Sequence, residues 1–336
     1  MQLKGYPDLL GFTQRSRTTS ALKARMDVVS QEAVTGVSAD LTKKTQGRVG
    51  GAHLLQKALN DLDQSSRITA LSKTRLDLTA SAINGARTAM NDIGVRGLVA
   101  AAAGNIVGVN AISDEAEANL RSVMSSFGAR QSTRNLFSGG ATDQSTFAPA
   151  DDLLNDIKNI MATAGGPADI DAALDTYFND PLGGFETNIY TGGDTPAPPL
   201  RLGSDATVQI DIRGNNQAIK DTLRGLAVLA AAPSSPDDPT SDNYKAVFQS
   251  GLDFASKGNS GLIVLEGNLG IYQETLSKAK DQNDFEQLTL SAAYQSLAGV
   301  DQFEAASELK QLEVALQSSF IITSRLSELS LTNYIR

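Results

Sequence analysis

The sequence predicts a mainly α protein, with long antiparallel terminal helices forming a coiled-coil-like rod and a small α/β domain inserted between them. Three observations predict it. Nine of the ten prolines lie between Pro149 and Pro239, with only Pro7 outside, and proline is barred from helix interiors. Both ends repeat apolar residues at steps of four and three, the spacing that keeps one helix face toward a partner. Aromatics make up 5 % of the chain and Trp is absent, so the apolar material is mostly Ala, Leu, Val and Ile, which suits narrow helix seams better than a thick core. The chain accordingly divides into an N-terminal helical arm (1–135), an inserted mixed α/β outer domain (136–240) and a C-terminal helical arm (241–336).

In the first arm, Leu22, Met26, Val29, Ala33 and Gly36 keep the four-three step and define a first helix. Thr35-Gly36 supplies its stop, because glycine takes the left-handed conformation after a last turn. Gly47, Gly50 and Gly51 are expected to loosen the segment after it. A second run starts near Ala52 and passes through Leu62, Leu76, Ile83 and Met90 to Ile93, about five heptads and roughly 60 Å of helix. A third helix is expected over Glu115–Asn135.

The middle mixes helix and strand signals. Asp151–Ala164 and Ala168–Phe178 read as short helices, with Asp151 or Asp152 as a cap and Gly165-Gly166-Pro167 as the break. Phe185, Thr187 and Ile189 alternate like a strand, and Val208, Ile210 and Ile212 alternate again within Thr207–Arg213. Asn215–Ala232 returns to helix, and Pro233–Asn243 is turn-rich. In the last arm a helix over Leu262–Lys280 precedes a run from Asn283 interrupted only by Gly299. There Leu309, Leu312, Leu316, Ser319, Thr323, Leu326 and Ser330 keep the rhythm, while Phe320, Ile322 and Leu329 widen the stripe beyond a two-helix seam, as for a helix packed against more than one neighbour.

Charge excludes some partners. The net charge is −9, and phosphate binding needs a clustered basic face, so no nucleic-acid partner is expected. The sign is uneven: residues 1–135 carry 17 Lys+Arg against 11 Asp+Glu, and 136–336 carry 12 against 27. There are no cysteines, which excludes disulfides and thiolate chemistry. No apolar run approaches the roughly 20 residues of a membrane span, so no membrane insertion is expected. Met1–Arg17 lacks the basic start, apolar middle and cleavage site of a secretory signal.

The residues offer no enzyme chemistry. The single histidine, His53, has no companion ligand for a metal and no Gly-x-Ser-x-Gly nucleophile to serve. Asp114-Glu115, Asp151-Asp152 and Asp237-Asp238 fall at helix starts or turns, where acids favour the helix dipole. The glycine pairs lack the Gly-Lys-Ser/Thr ending of a phosphate loop. No catalytic, cofactor or metal residues are expected. The seams place Ser65, Thr69, Ser72 and Thr79 in one arm, and Ser319, Thr323 and Ser330 in the other, where a stable coiled coil would place Leu or Ile. Such seams are weak singly and add up in a lattice. The candidate site is thus an assembly interface made of Leu22, Met26, Val29, Leu309, Leu312, Leu316, Phe320, Leu326 and Leu329.

Particular stretches resemble the flagellin superfamily, and within it the hook-filament junction members. Val29–Gly36 (Val-Ser-Gln-Glu-Ala-Val-Thr-Gly) is similar to the superfamily's first helix and its stop. Asn135-Leu136-Phe137-Ser138-Gly139, followed by Thr142-Asp143, resembles the motif that opens the outer region. Leu316-Gln317-Ser318-Ser319, Arg325 and Leu329–Ile335 resemble the terminal helix. The start, Met1–Phe12, and the segment Asp40–Gly51 depart from both groups, which keeps a divergent flagellin as the alternative, with a secreted adhesin or effector as a third reading. The resemblance implies an extracellular place in the bacterial flagellum, export without a cleaved signal peptide through the type III apparatus with a chaperone, and no cofactor. It also implies copies of itself, a neighbouring hook-associated protein and flagellin as partners.

Overall fold

A computed structural model describes residues 6–202 and 206–334. The chain is mainly α, as the proline placement predicts. In chain order the elements are α1 (Tyr6–Thr35), α2 (Leu41–Lys44), α3 (Val49–Ala89), α4 (Ile93–Ala102), α5 (Ile106–Phe127), β1 (Arg130–Gln131) and β2 (Arg134–Asn135). Next come α6 (Ala150–Thr163), α7 (Pro167–Asn179), β3 (Leu200–Leu202), β4 (Ala206–Val208), α8 (Gln217–Ala231), α9 (Asp242–Ala298) and α10 (Gln302–Tyr334). Contacts group the chain into two compact units, 1–64 with 283–336, and 65–282, the cut falling inside α3 and α9.

In the first unit α1 runs antiparallel to α10, since Thr19 meets Ser319 and Arg25 meets Glu308. Gly36 adopts φ +67°, and its N–H donates to Glu32 O at 2.9 Å, the left-handed stop expected of a helix-ending glycine. The return is closed by short backbone pairing: Ser38 N–H donates to Ala298 O and Val300 N–H to Gly36 O, around the antiparallel bridge of Val37 with Gly299. Gly50 and Gly51, expected as a joint, lie in the first turn of α3 instead; the joint is the turn at Gly47, φ +84°.

The second unit is built around α8. Every residue from Ala218 to Ala231 is buried, charged ones included, and α5, α6 and α7 pack on it. On its remaining side α9 comes close enough to exclude side chains. A Cβ at Gly258 would stand 2.5 Å from Thr222 N, one at Gly261 2.6 Å from Ala218 Cβ, and one at Gly225 2.6 Å from Ala255 Cα. Small residues thus face each other in antiparallel register along both helices. Sequence reading divided this long helix into two, one over Leu262–Lys280 and one from Asn283; the structure has a single helix of 57 residues. Gly251, Gly258 and Gly261 serve close packing against α8, and none of its glycines ends it.

Three charged residues of α8 are buried, each paired with a partner on a neighbouring element. Arg224 lies 3.6 Å from the Phe254 ring centroid, pairs with Asp175 and reaches Asp171 at 3.4 Å. Asp221 meets Lys257 at 3.1 Å and Lys220 meets Glu186 at 3.5 Å. The segment Asn135–Gly139 is tied by hydrogen bonds to Thr142, Gln144 and Thr146. Phe137 sits edge-on to Phe127 at 5.0 Å, and the Ser138 hydroxyl donates to Gln144 O at 3.0 Å. Gly139 takes φ +58°, with no room for a Cβ beside Gly193 O.

Several local expectations are corrected. The third helix spans Ile106–Phe127, capped by the Asn105 side chain accepting from Gly108 N–H; Gly128 ends it, and Arg130–Asn135 form the β1–β2 hairpin. The second helix stops at Ala89, and a turn through Asp92 (φ +64°) carries Met90 and Ile93 on as buried residues. Phe185–Ile189 is one turn of π-helix; it buries Phe185 and Ile189 together and exposes Thr187, a pattern that imitates alternation over so short a span. Of Thr207–Arg213 only the start pairs, in β4 against β3, yet Val208, Ile210 and Ile212 still turn to the core. Pro149 precedes α6, so Asp151 and Asp152 stand in its first turn and do not cap it.

Candidate assembly interface

The paired ends explain where the seam residues go. Val29 is fully buried, and Leu22, Met26, Leu309, Leu312 and Leu316 are half-buried between α1 and α10. Phe320 is half-exposed, with the Lys23 ammonium 5.4 Å from its ring centroid. Leu326 and Leu329 fall within α10, and their side chains lie outside the described residues.

Polar groups fix the register of this seam. The Thr19 and Ser319 hydroxyls are 3.0 Å apart. Arg25 donates to both carboxylate oxygens of Glu308, at 2.8 and 3.0 Å, and that hydrogen bond holds the guanidinium above its ordinary pKa. The pair is open to water, so its contribution is at most about 1 kcal/mol; its value is orientation. At the other end Gln302 Nε2 donates to Val34 O.

With the inner stripe spent on α1, a second apolar set remains outside. Val34, Phe303, Val314, Ile321 and Ile322 are all more than half exposed, Phe303 at 82 %. Sequence reading placed Ile322 on a stripe too wide for one partner and missed the rest of this outer row, although Phe303, Val314 and Ile321 are spaced by eleven and seven residues, one helix face. The stronger four-three stripe beside it drew the assignment. A helix that buries one stripe within its own chain and exposes another offers a surface for a neighbour.

The hydroxyls at seam positions of α3 are accommodated inside the second unit. Ser65, Thr69, Ser72 and Thr79 are buried; Ser72 donates to Arg201 O at 3.0 Å and Thr79 to its own helix at Arg75 O. His53 is exposed on α3. A groove of about 510 Å³ between α3 and α5 is lined by Ser81, Asn84, Thr88, Asn119 and Ser122, with Gly85 and Ala89. It presents no titratable side chain with which to move a proton. Among the described residues no three His, Cys, Asp or Glu stand together as metal ligands, and no helix is long and apolar enough to cross a membrane.

Residues 257–335 match the bacterial flagellin C-terminal helical region. The matched segment takes in about the last three-quarters of α9 and all of α10, the helix that carries the C-terminal side of the seam and most of its outer row. No curated protein matches the sequence. Among solved structures, the fold is similar to that of a protein described as a flagellar hook-associated protein from Vibrio parahaemolyticus. The TM-score is 0.52 at 12 % identity, over 73 % of this chain and 95 % of the other.

Proposed function

We propose that this chain is a non-enzymatic structural subunit of the bacterial flagellum, joining hook to filament by helical polymerisation through its terminal helices. The observation that carries the reading is the antiparallel pairing of α1 with the flagellin-type α10, which leaves a row of exposed aliphatic and aromatic side chains on a helix already held in place. The three-part division at 136 and 240 belongs to this reading, with the terminal arms assembling and the middle exchangeable. So do the nine seam residues. Leu22, Met26, Val29, Leu309, Leu312 and Leu316 shape the hairpin that docks, and Phe320, Leu326 and Leu329 extend it. The arms order against neighbours on incorporation, so that assembly offsets the entropy of ordering them.

The partners are copies of itself, a neighbouring hook-associated protein and flagellin, reached after export without a cleaved signal peptide by the type III apparatus and its chaperone. The flagellin match favours a second reading, a divergent flagellin that forms the filament. One experiment separates them: delete the gene, image the cell surface by electron microscopy and quantify shed flagellin. Hooks without filaments and flagellin in the medium fit the junction role. Loss of the bulk filament subunit fits a flagellin, and unaltered flagella refute both.

A further inference from the structure

The arginines of the second unit are not all treated alike. Arg87, Arg96, Arg121, Arg213 and Arg224 each meet an aspartate or glutamate of the chain. Among the described residues Arg75, Arg130, Arg134 and Arg201 form no ion pair, although the chain carries 38 Asp+Glu against 29 Lys+Arg. All four belong to the place where one turn of α3, Leu71 to Arg75, meets the β1–β2 and β3–β4 hairpins. Gln131 Nε2 donates to Leu71 O at 3.1 Å, Ser72 Oγ to Arg201 O at 3.0 Å, and Arg75 Nη1 to Pro198 O, just ahead of β3, at 2.9 Å. Arg134 is the cross-strand neighbour of Gln131, and such neighbours share one face of a hairpin, so Arg134 stands on the face turned to α3. Burial, and after it the Arg134 charge, hold the half-buried Arg75 guanidinium below its ordinary pKa. Arg130 and Arg201 are exposed on the same two hairpins, Arg130 donating to Thr133 O of its own turn. Asp77 does not offset these charges. It lies two residues beyond Arg75, on another side of α3, where Lys73 and Gln273 hold its oxygens at 2.5 and 3.0 Å.

We infer that Arg75 and Arg134, flanked by Arg130 and Arg201, form a docking site for an acidic segment of a partner protein, whose carboxylates are held by the two guanidinium groups. Like charges brought together cost free energy, and a bound carboxylate returns it. The carbonyl of Pro198 fixes Arg75 from one side, and the guanidinium keeps further N–H groups in a planar fork that matches a carboxylate. This chain already uses that fork, where Arg25 takes both oxygens of Glu308 at 2.8 and 3.0 Å. The cluster is centred on one helical turn, short of the basic stripe along which a nucleic acid is bound. The site lies in the second unit and does not depend on the flagellar reading.

Isothermal titration calorimetry of the full chain with a hexaglutamate peptide at low salt tests the site. Saturable binding is expected, weakening as salt is raised. Arg134→Gln changes an exposed residue and is expected to weaken binding at least about tenfold, the worth of one hydrogen bond to a charged group. Arg134→Glu is expected to abolish it. Arg75→Lys keeps the charge and loses the fork, and is expected to weaken binding as well. Arg96→Gln, an arginine of the same unit already paired with Glu115, is expected to bind like the parent. No binding by the parent, or the same loss from Arg96→Gln as from Arg134→Gln, overturns the inference. Inorganic pyrophosphate, titrated in place of the peptide, reads the ligand class: a chain that binds pyrophosphate and not hexaglutamate overturns the assignment to an acidic protein segment. Thermal unfolding of each variant, matched to the parent, shows that a loss of binding is not a loss of fold.

Discussion

Replacing Gly225 by alanine sets a methyl group against the backbone of a neighbouring helix. Its Cβ would stand 2.6 Å from Ala255 Cα, about 1 Å inside ordinary contact, and neither partner is a side chain that can swing aside. Overpacking of a filled core costs about 1–3 kcal/mol, and this site belongs at the upper end because α8 is buried along its length. Alanine returns about 1 kcal/mol of helix propensity. The net loss is about 2 kcal/mol, a rise of about 30-fold in the local opening equilibrium. Hydrogen exchange of α8 amides in the full chain reads that factor directly. Gly267→Ala, on the same α9 but with nothing within 4 Å, is the control, and its local exchange is expected to slow by up to about fivefold from propensity alone. Unchanged α8 protection in Gly225→Ala would refute the argument that the α8–α9 approach needs glycine.

Burial and charge give three further expected outcomes. Asp171→Asn with Asp175→Asn is expected to cost about 3 kcal/mol in urea unfolding, because it strands a guanidinium that is 2 % exposed, whereas Arg224→Met costs less, since both carboxylates keep water; a reversed order sinks this. Burial pushes the Tyr190 phenol up to about 12 from an ordinary value of about 10. Its contribution is complete below pH 10 and is lost as pH rises from about 10 to about 12, because the unfolded chain ionises first. Tyr190→Phe should flatten part of that alkaline loss in a pH titration of stability, and an unaltered slope would count against it. Leu312→Asp places a charge in the α1–α10 seam and is expected to raise α1 amide exchange by at least tenfold, about 1.4 kcal/mol or more, leaving α8 protection unchanged because the two helices belong to different compact units. Combined with Leu326→Asp, it should also abolish assembly, scored by loss of the chain from sheared cell-surface material.

Periodicity and proline placement were enough to read the helical ends, their pairing stripe and the Gly36 stop, since these depend on residues near one another in the chain. The α6 and α7 pair was legible for the same reason, with Gly165-Gly166-Pro167 marking the break. Short elements failed where the signal was as short as the noise. Phe185, Thr187 and Ile189 fit either alternation or one turn of π-helix, and only the packing of Phe185 beside Phe178 at 5.3 Å selects the turn.

Residue order and composition were sufficient for a mainly helical chain and for apolar stripes at both ends. Packing in three dimensions decided the use of each glycine and each stripe. Gly258 and Gly261 lie within α9 where the facing α8 fills the space of their missing Cβ atoms, whereas Gly267 and Gly270 on the same helix face nothing. The inner stripe of α10 is consumed by α1, and a weaker outer row stays exposed. Both results depend on which surface is already occupied by distant segments, and that occupancy has no local trace in the chain.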